Sequence, residues 1–238
     1  MLLYALSGLT RLADKWPLLD RLGVAPALVF DSADDFERSL GACETWSCRT
    51  TERFGCPPPV HLPFRGLEAL DSSACRRLCE VAEAVCCFGA RDILMHAFLD
   101  DARAPQTAAA ALAPVAAAVE RAGARLWIEN TVESCPQAFL TVATALGAGV
   151  VLDLPRCRHF SAIPPAEWLV RAATRLGGLH VYGDGGDDRH EALGEADRHW
   201  LCPAVARAGA SPLMLLDVGR EDLAASAERL RGWLWTDA

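Results

Sequence analysis

Eight short apolar runs recur along the 238-residue chain, most of them followed by a stretch with helical periodicity, and this alternation narrows the fold more than any other feature. The runs are Leu2–Leu6, Ala27–Phe30, Val60–Pro63, Asp92–His96, Arg125–Glu129, Gly149–Asp153, Leu179–Tyr182 and Leu213–Asp217. Continuous apolar character over so few residues predicts strands buried on both faces of a parallel sheet. Helical patterns cover Thr10–Leu22, Ser72–Phe88, Gln106–Ala122, Pro136–Leu146, Pro165–Leu176, Ala196–Ala208 and Asp222–Leu234. Gly23, Gly89, Gly123, Gly147, Gly177 and Gly209 punctuate them, as helices ending in a left-handed residue require. Alternating strands and helices imply parallel pairing through right-handed crossovers. Eight units predict an α/β fold, a single (β/α)8 TIM barrel spanning residues 1–238. No G-x-G-x-x-G follows the first strand, which argues against an open nucleotide-binding sheet.

One region breaks the rhythm. From Asp31 to Pro59 the chain carries Asp34, Asp35, Cys43, Cys48, Cys56 and the run Pro57-Pro58-Pro59. The expectation is a short helix followed by a long loop after strand 2, at the barrel mouth, where loops of this length are usually functional. The three cysteines match no zinc-knuckle spacing. Trp46 in this loop is a candidate for stacking on a flat substrate. Trp127 is expected to be core, either facing away from Glu129 or lying one layer deeper.

Composition excludes some functions. A net charge of −8 opposes nucleic-acid partners, which demand a basic footprint. No apolar run reaches the length that spans a bilayer. The start of the chain lacks a basic segment ahead of its apolar run, so a cytoplasmic location is expected. The ten cysteines are then expected to be reduced thiols.

The position of the chemistry-bearing residues is the main functional signal. His61, His96 and His180 lie on predicted strands, and His190 follows in the next loop. Glu129, Asp153 and Asp217 close strands 5, 6 and 8. Strand C-termini of a (β/α)8 barrel converge on one mouth, where active sites are built. Imidazole and carboxylate converging there are ligands for zinc, manganese or iron. A lone strand-end histidine is ordinarily a satisfied core or surface residue, but so many converging together point to divalent metal.

These residues also carry a family resemblance. Arg125-Leu-Trp-Ile-Glu129-Asn130-Thr131, Val-Val-Leu-Asp153, His180-Val-Tyr-Gly-Asp and Asp188-Arg-His190-Glu-Ala-Leu-Gly194 resemble the xylose-isomerase-like barrel superfamily, which includes AP endonuclease family 2. His-Leu-Pro-Phe at 61–64 and Ile-Glu-Asn-Thr at 128–131 look most similar to its cobamide-remodelling phosphodiesterases. The resemblance implies a (β/α)8 fold with a metal cluster in which Glu129 bridges two ions. Asp153, His180 and Asp217 would complete one site and His61 with His96 the other. In the phosphodiesterase branch Asp188 and His190 would help to hold a third metal. That branch also has a histidine three residues after Asp153, where this chain has Arg156. Arg156 cannot ligate metal. Either His159 or Cys157 folds back as the missing ligand, or Arg156 supplies a fixed positive charge and two metals remain.

The readings are three. The first is hydrolysis of a small phosphodiester, with the nucleotide-loop linkage of a cobamide as the candidate substrate. The second is isomerisation or epimerisation of a sugar or sugar phosphate, with Glu129 or Asp217 moving a proton. The third is a barrel that has lost ligands and serves as a binding protein. Catalytic roles are expected for Glu129, Asp217 and Arg156. A small-molecule substrate is expected, with no nucleic acid and no membrane partner.

Overall fold

The computed structural model describes residues 2–67, 69–99, 103–185, 189–208 and 213–235. Eight parallel strands close a barrel: β1 (Leu3–Gly8), β2 (Ala25–Val29), β3 (Val60–His61), β4 (Asp92–His96), β5 (Arg125–Glu129), β6 (Gly149–Asp153), β7 (Leu176–Val181) and β10 (Leu213–Leu216). Two short strands, β8 (Gly183–Asp184) and β9 (His190–Glu191), pair antiparallel in the connection after β7. The helices are α1 (Leu9–Leu22), α2 (Ala33–Phe54), α3 (Ser72–Cys87), α4 (Pro105–Arg121), α5 (Pro136–Ala145), α6 (Leu154–Phe160), α7 (Pro165–Ala172), α8 (Glu195–Arg207) and α9 (Arg220–Trp235). The sheet closes in chain order, β1 pairing with both β2 and β10.

The long loop expected after strand 2 is instead the 22-residue helix α2. Ser32 caps it, its side chain accepting the Asp35 N–H, and Asp34 and Asp35 complement the helix dipole in the first turn. Gly55 ends it at φ 77°. Its buried face is Ala33, Phe36, Ser39, Cys43, Ser47 and Thr50, a helical stripe in which hydroxyls stand where apolar groups would have revealed the period. Two of those hydroxyls are seen satisfied: Ser47 donates to the Phe88 carbonyl and Thr50 to the Trp46 carbonyl. Trp46 is therefore not at the mouth. It packs on Trp16 of α1, with the Arg49 guanidinium over both rings.

Two apolar cores result. The larger one lies between strands and helices. The smaller fills the barrel itself, from Tyr4, Leu6, Ala25, Ala27, Leu94, Val151 and Leu215, with Trp127 packed against it. Leu94, Trp127, Val151 and Leu215 each stand two residues before His96, Glu129, Asp153 and Asp217, so strand alternation turns both members of each pair inward. Trp127 thus shares the inward side with Glu129, one layer below it, and does not face away. Its indole N–H donates to Asp92 at 2.8 Å. A Cβ at Gly149 or Gly177 would overlap its ring. Gly177 lies in β7 beside an irregularity in the β6–β7 pairing, so it makes room for the indole and does not cap a helix. Gly209 falls outside the described residues. Gly23, Gly89, Gly123 and Gly147 do carry positive φ.

No helix among the described residues is long and apolar enough to cross a membrane. All ten cysteines are free thiols.

Candidate metal centre

The last inward position of successive strands delivers the site. His61 of β3, His96 of β4, Glu129 of β5, Asp153 of β6 and His180 of β7 come together with Asp217, which follows β10. Two groups of donors form, His61–His96–Glu129 and Glu129–Asp153–His180; within each, ligand-type atoms lie within 4.8 Å of one another. Glu129 belongs to both. Its Oε1 is 3.0 Å from His180 Nδ1 and its Oε2 is 3.6 Å from His61 Nε2. His180 Nδ1 also lies 3.6 Å from Asp153 Oδ2, and its Nε2 lies 3.4 Å from Asp217 Oδ2.

This donor set fits a divalent cation. His61 Nδ1 donates to the Leu62 carbonyl oxygen at 2.9 Å, which turns Nε2 toward Glu129. Glu129 Oε2 and His180 Nε2 are buried with no hydrogen-bond partner; they approach His61 and Asp217 closely enough for charge attraction only. Buried orphans of this kind are costly unless something bonds them.

Electrostatics divide the ligands. Burial pushes the His96 imidazole down to about 3, with neighbouring His61 adding to the shift, so His96 is neutral. Burial opposes ionisation of Glu129, but His180 and His61 outweigh it and hold the carboxyl well below its ordinary range. Burial likewise opposes protonation of His180, yet Glu129, Asp217 and Asp153 hold its proton well above the usual range. Burial raises Asp153 to about 6 against the pull of His180 and Arg156.

Among the candidate ligands, Asp153 is held by several groups at once. Its Oδ1 caps α6 by accepting the Arg156 N–H at 2.8 Å. The Tyr182 hydroxyl donates to Oδ1 and Oδ2, each at 3.2 Å, and Arg156 Nε stands 3.4 Å from Oδ2. Arg156 is therefore brought to the site as a fixed cation. His159 is not: it sits on the exposed end of α6 with its ring 4.6 Å from that of Phe160. Cys157 is buried and takes a hydrogen bond from Asn130 instead of turning toward the other ligands. His190, on β9, places Nδ1 2.5 Å from Asp217 Oδ2 and stacks on Tyr182 at 4.2 Å between ring centres. Asp188 lies outside the described residues.

Two further residues near the candidate ligands carry a signal in the sequence. Tyr182 stands two positions after His180 and so shares its inward side. Lys15 falls on the buried stripe of α1, where a charge is out of place. Its ammonium donates to the Leu6 carbonyl at 2.8 Å and reaches the Val218 carbonyl at 3.5 Å, tethering the chain just past Asp217.

A scan against protein-family models finds no match, and a search of curated proteins finds none either. Solved structures do match. The TTHB071 protein from Thermus thermophilus, in crystals soaked with ZnCl2, is 28% identical, with 98% of each chain covered and a TM-score of 0.75. A xylose isomerase domain protein from Planctomyces limnophilus is 14% identical over 97% of this chain and 95% of that one, with a TM-score of 0.70. A D-allulose 3-epimerase from Methylomonas sp. is 10% identical over 98% of this chain and 90% of that one, with a TM-score of 0.65. These likenesses establish the xylose-isomerase-like TIM-barrel fold.

Proposed function

From a barrel of the xylose-isomerase-like fold with this donor set at its mouth, we propose a metal-dependent isomerase or epimerase of a sugar or sugar phosphate. The observation that carries the reading is Arg156 at Asp153. A permanent cation there disfavours a third metal beside Asp153 by like-charge repulsion and leaves Glu129, Asp153, His180 and Asp217 as the donors for a single ion on that side, next to the His61–His96–Glu129 group. The resemblance attributes a set of this kind to sugar isomerases and epimerases. The description of the Methylomonas protein as an epimerase supports the same reading. A divalent cation bound here supplies Lewis acidity toward a substrate carbonyl or hydroxyl.

The chain's own groups supply the rest. Glu129 is held ionised between two histidines and serves to fix geometry. Asp217 is partly exposed and holds the His190 Nδ1 proton, so proton exchange by that imidazole runs through Nε2. Asp217 and His190 together form the pair that moves a proton at substrate carbon. Arg156 adds a fixed positive charge for an anionic substrate oxygen.

A second reading, hydrolysis of a small phosphodiester, has one observation in its favour. His61, His96 and Glu129 make a second complete group of donors, as a two-metal hydrolase requires. None of the relatives named above is described as a phosphodiesterase or as acting on a cobamide. The deciding experiment incubates the metal-loaded protein in D2O with a panel of ketoses, aldoses and their phosphates, beside phosphodiesters. Carbon-bound deuterium appearing in a sugar supports the isomerase reading. Phosphodiester hydrolysis without deuterium exchange in any sugar overturns it.

A further inference from the structure

The Ile-Glu-Asn-Thr segment at 128–131 contains one residue that the chemistry above leaves unused. Asn130 directly follows Glu129, the carboxylate common to both donor groups, and is itself buried. Its side chain makes three contacts. Oδ1 accepts the Asp153 backbone N–H at 2.8 Å, Nδ2 donates to the Asp153 carbonyl at 3.3 Å, and Nδ2 also lies 3.5 Å from Cys157 Sγ.

The geometry has a specific cause. β5 and β6 pair through Trp127–Gly149, Ile128–Val150 and Glu129–Val151, after which β5 ends. β6 continues to Asp153, whose backbone N–H and C=O face the side where β5 has run out. Both groups are buried and need partners. A peptide group offers a donor and an acceptor side by side, and among side chains only the carboxamides of Asn and Gln do the same. Asn130 therefore stands in for the absent peptide of β5.

We propose that Asn130 is a positioning residue for the metal centre, its carboxamide replacing the missing strand beside Asp153 and so fixing where that carboxylate delivers its ligand oxygen. The proposal rests on Asp153 being a metal ligand, as read above. Asp153 has one oxygen committed to the cap of α6, so the placement of Oδ2 depends on the backbone that carries it. Without Asn130 that backbone loses both hydrogen bonds on one side, whereas the His61–His96–Glu129 group has no hydrogen bond to the Asn130 side chain to lose.

The test is a Co(II) titration of the full chain, followed by visible absorption, for wild type and Asn130→Ala, with thermal melting of both metal-free proteins. Wild type is expected to bind two ions. In Asn130→Ala one affinity should fall by about 10- to 100-fold while the other stays within about twofold. A purely structural role would lower the melting temperature and move both affinities together or neither, and either result overturns the proposal. Wild type taking up no Co(II) would remove the metal reading and this proposal with it. Two unchanged affinities in the variant would remove this proposal alone. Should Asn130→Ala fail to fold, NMR of wild type decides. A through-hydrogen-bond coupling between the Asp153 amide nitrogen and Asn130 Cγ is expected, and its absence overturns the proposal.

Discussion

His180 Nδ1 lies 3.0 Å from Glu129 Oε1, so an imidazole on β7 meets a carboxylate on β5 across the intervening strand β6. The pair crosses the Asp153 carboxylate, which stands 3.6 Å from the same nitrogen. In this arrangement the His180 imidazolium balances three surrounding carboxylates, and a metal ion bound there would take its proton's place.

Metal uptake should therefore release protons unevenly. His180 holds its proton well above the ordinary range, because Glu129, Asp217 and Asp153 outweigh its burial. His96 is pushed down to about 3 and has none to lose at neutral pH. Binding at the Glu129–Asp153–His180 group should release about one proton per ion at pH 7, and affinity there should rise with pH. Binding at His61–His96–Glu129 should be nearly independent of pH in that range as far as His96 is concerned. Calorimetry of zinc binding in buffers of different ionisation enthalpy measures the release directly; a value near zero for both ions would contradict the assignment.

Glu129→Gln should be the most damaging single change in the centre. It removes the one carboxylate that both donor groups share and leaves His180 without its nearest counter-charge. Activity should fall by about 10³-fold or more, and bound metal by at least one ion per chain. His190→Ala should retain the metal and lose about 10²-fold in turnover, because the imidazole acts on the proton. Elemental analysis beside kinetics on each variant separates the two effects.

His159→Ala should leave the metal count unchanged, since that ring packs against Phe160 away from Asp153. Arg156→His exchanges a cation for a ligand beside Asp153 and should allow an additional ion to bind. Three ions in wild type falling to two in His159→Ala would refute this account of α6.

Gly177→Ala should destabilise the fold without touching the ligands, because a methyl there meets the Trp127 ring. Overpacking of this kind costs about 1–3 kcal/mol, and each kcal/mol shifts the melting temperature of a chain this size by about 2–4 °C. Trp127→Leu should recover part of the loss when combined with Gly177→Ala. Differential scanning of the two single variants and the double variant gives the coupling.

The barrel was legible because its strands are continuous apolar runs. β4, β5 and β6 match their expected bounds, Asp92–His96, Arg125–Glu129 and Gly149–Asp153. The candidate ligands were legible for the related reason that His96, Glu129 and Asp153 are the polar residues that close those runs. Helix α2 was hidden because Ser39, Ser47 and Thr50 occupy its buried face and erase the apolar period. The short helix α6 has too few residues for a period to be seen, although Asp153 both caps it and ends β6. Asn130 was visible within its motif but its role was not. A side chain that completes another strand's ladder depends on where that strand ends, and spacing along the sequence does not record this.

Trp127, wedged against Gly149 and Gly177, stops the barrel from below and gives it the character of a cup with one rim. Whatever enters must leave by the same opening, so incoming reactant and departing product cannot pass through independently. For the activity proposed above, reactant and product would share that opening, and a product analogue is expected to compete directly with substrate.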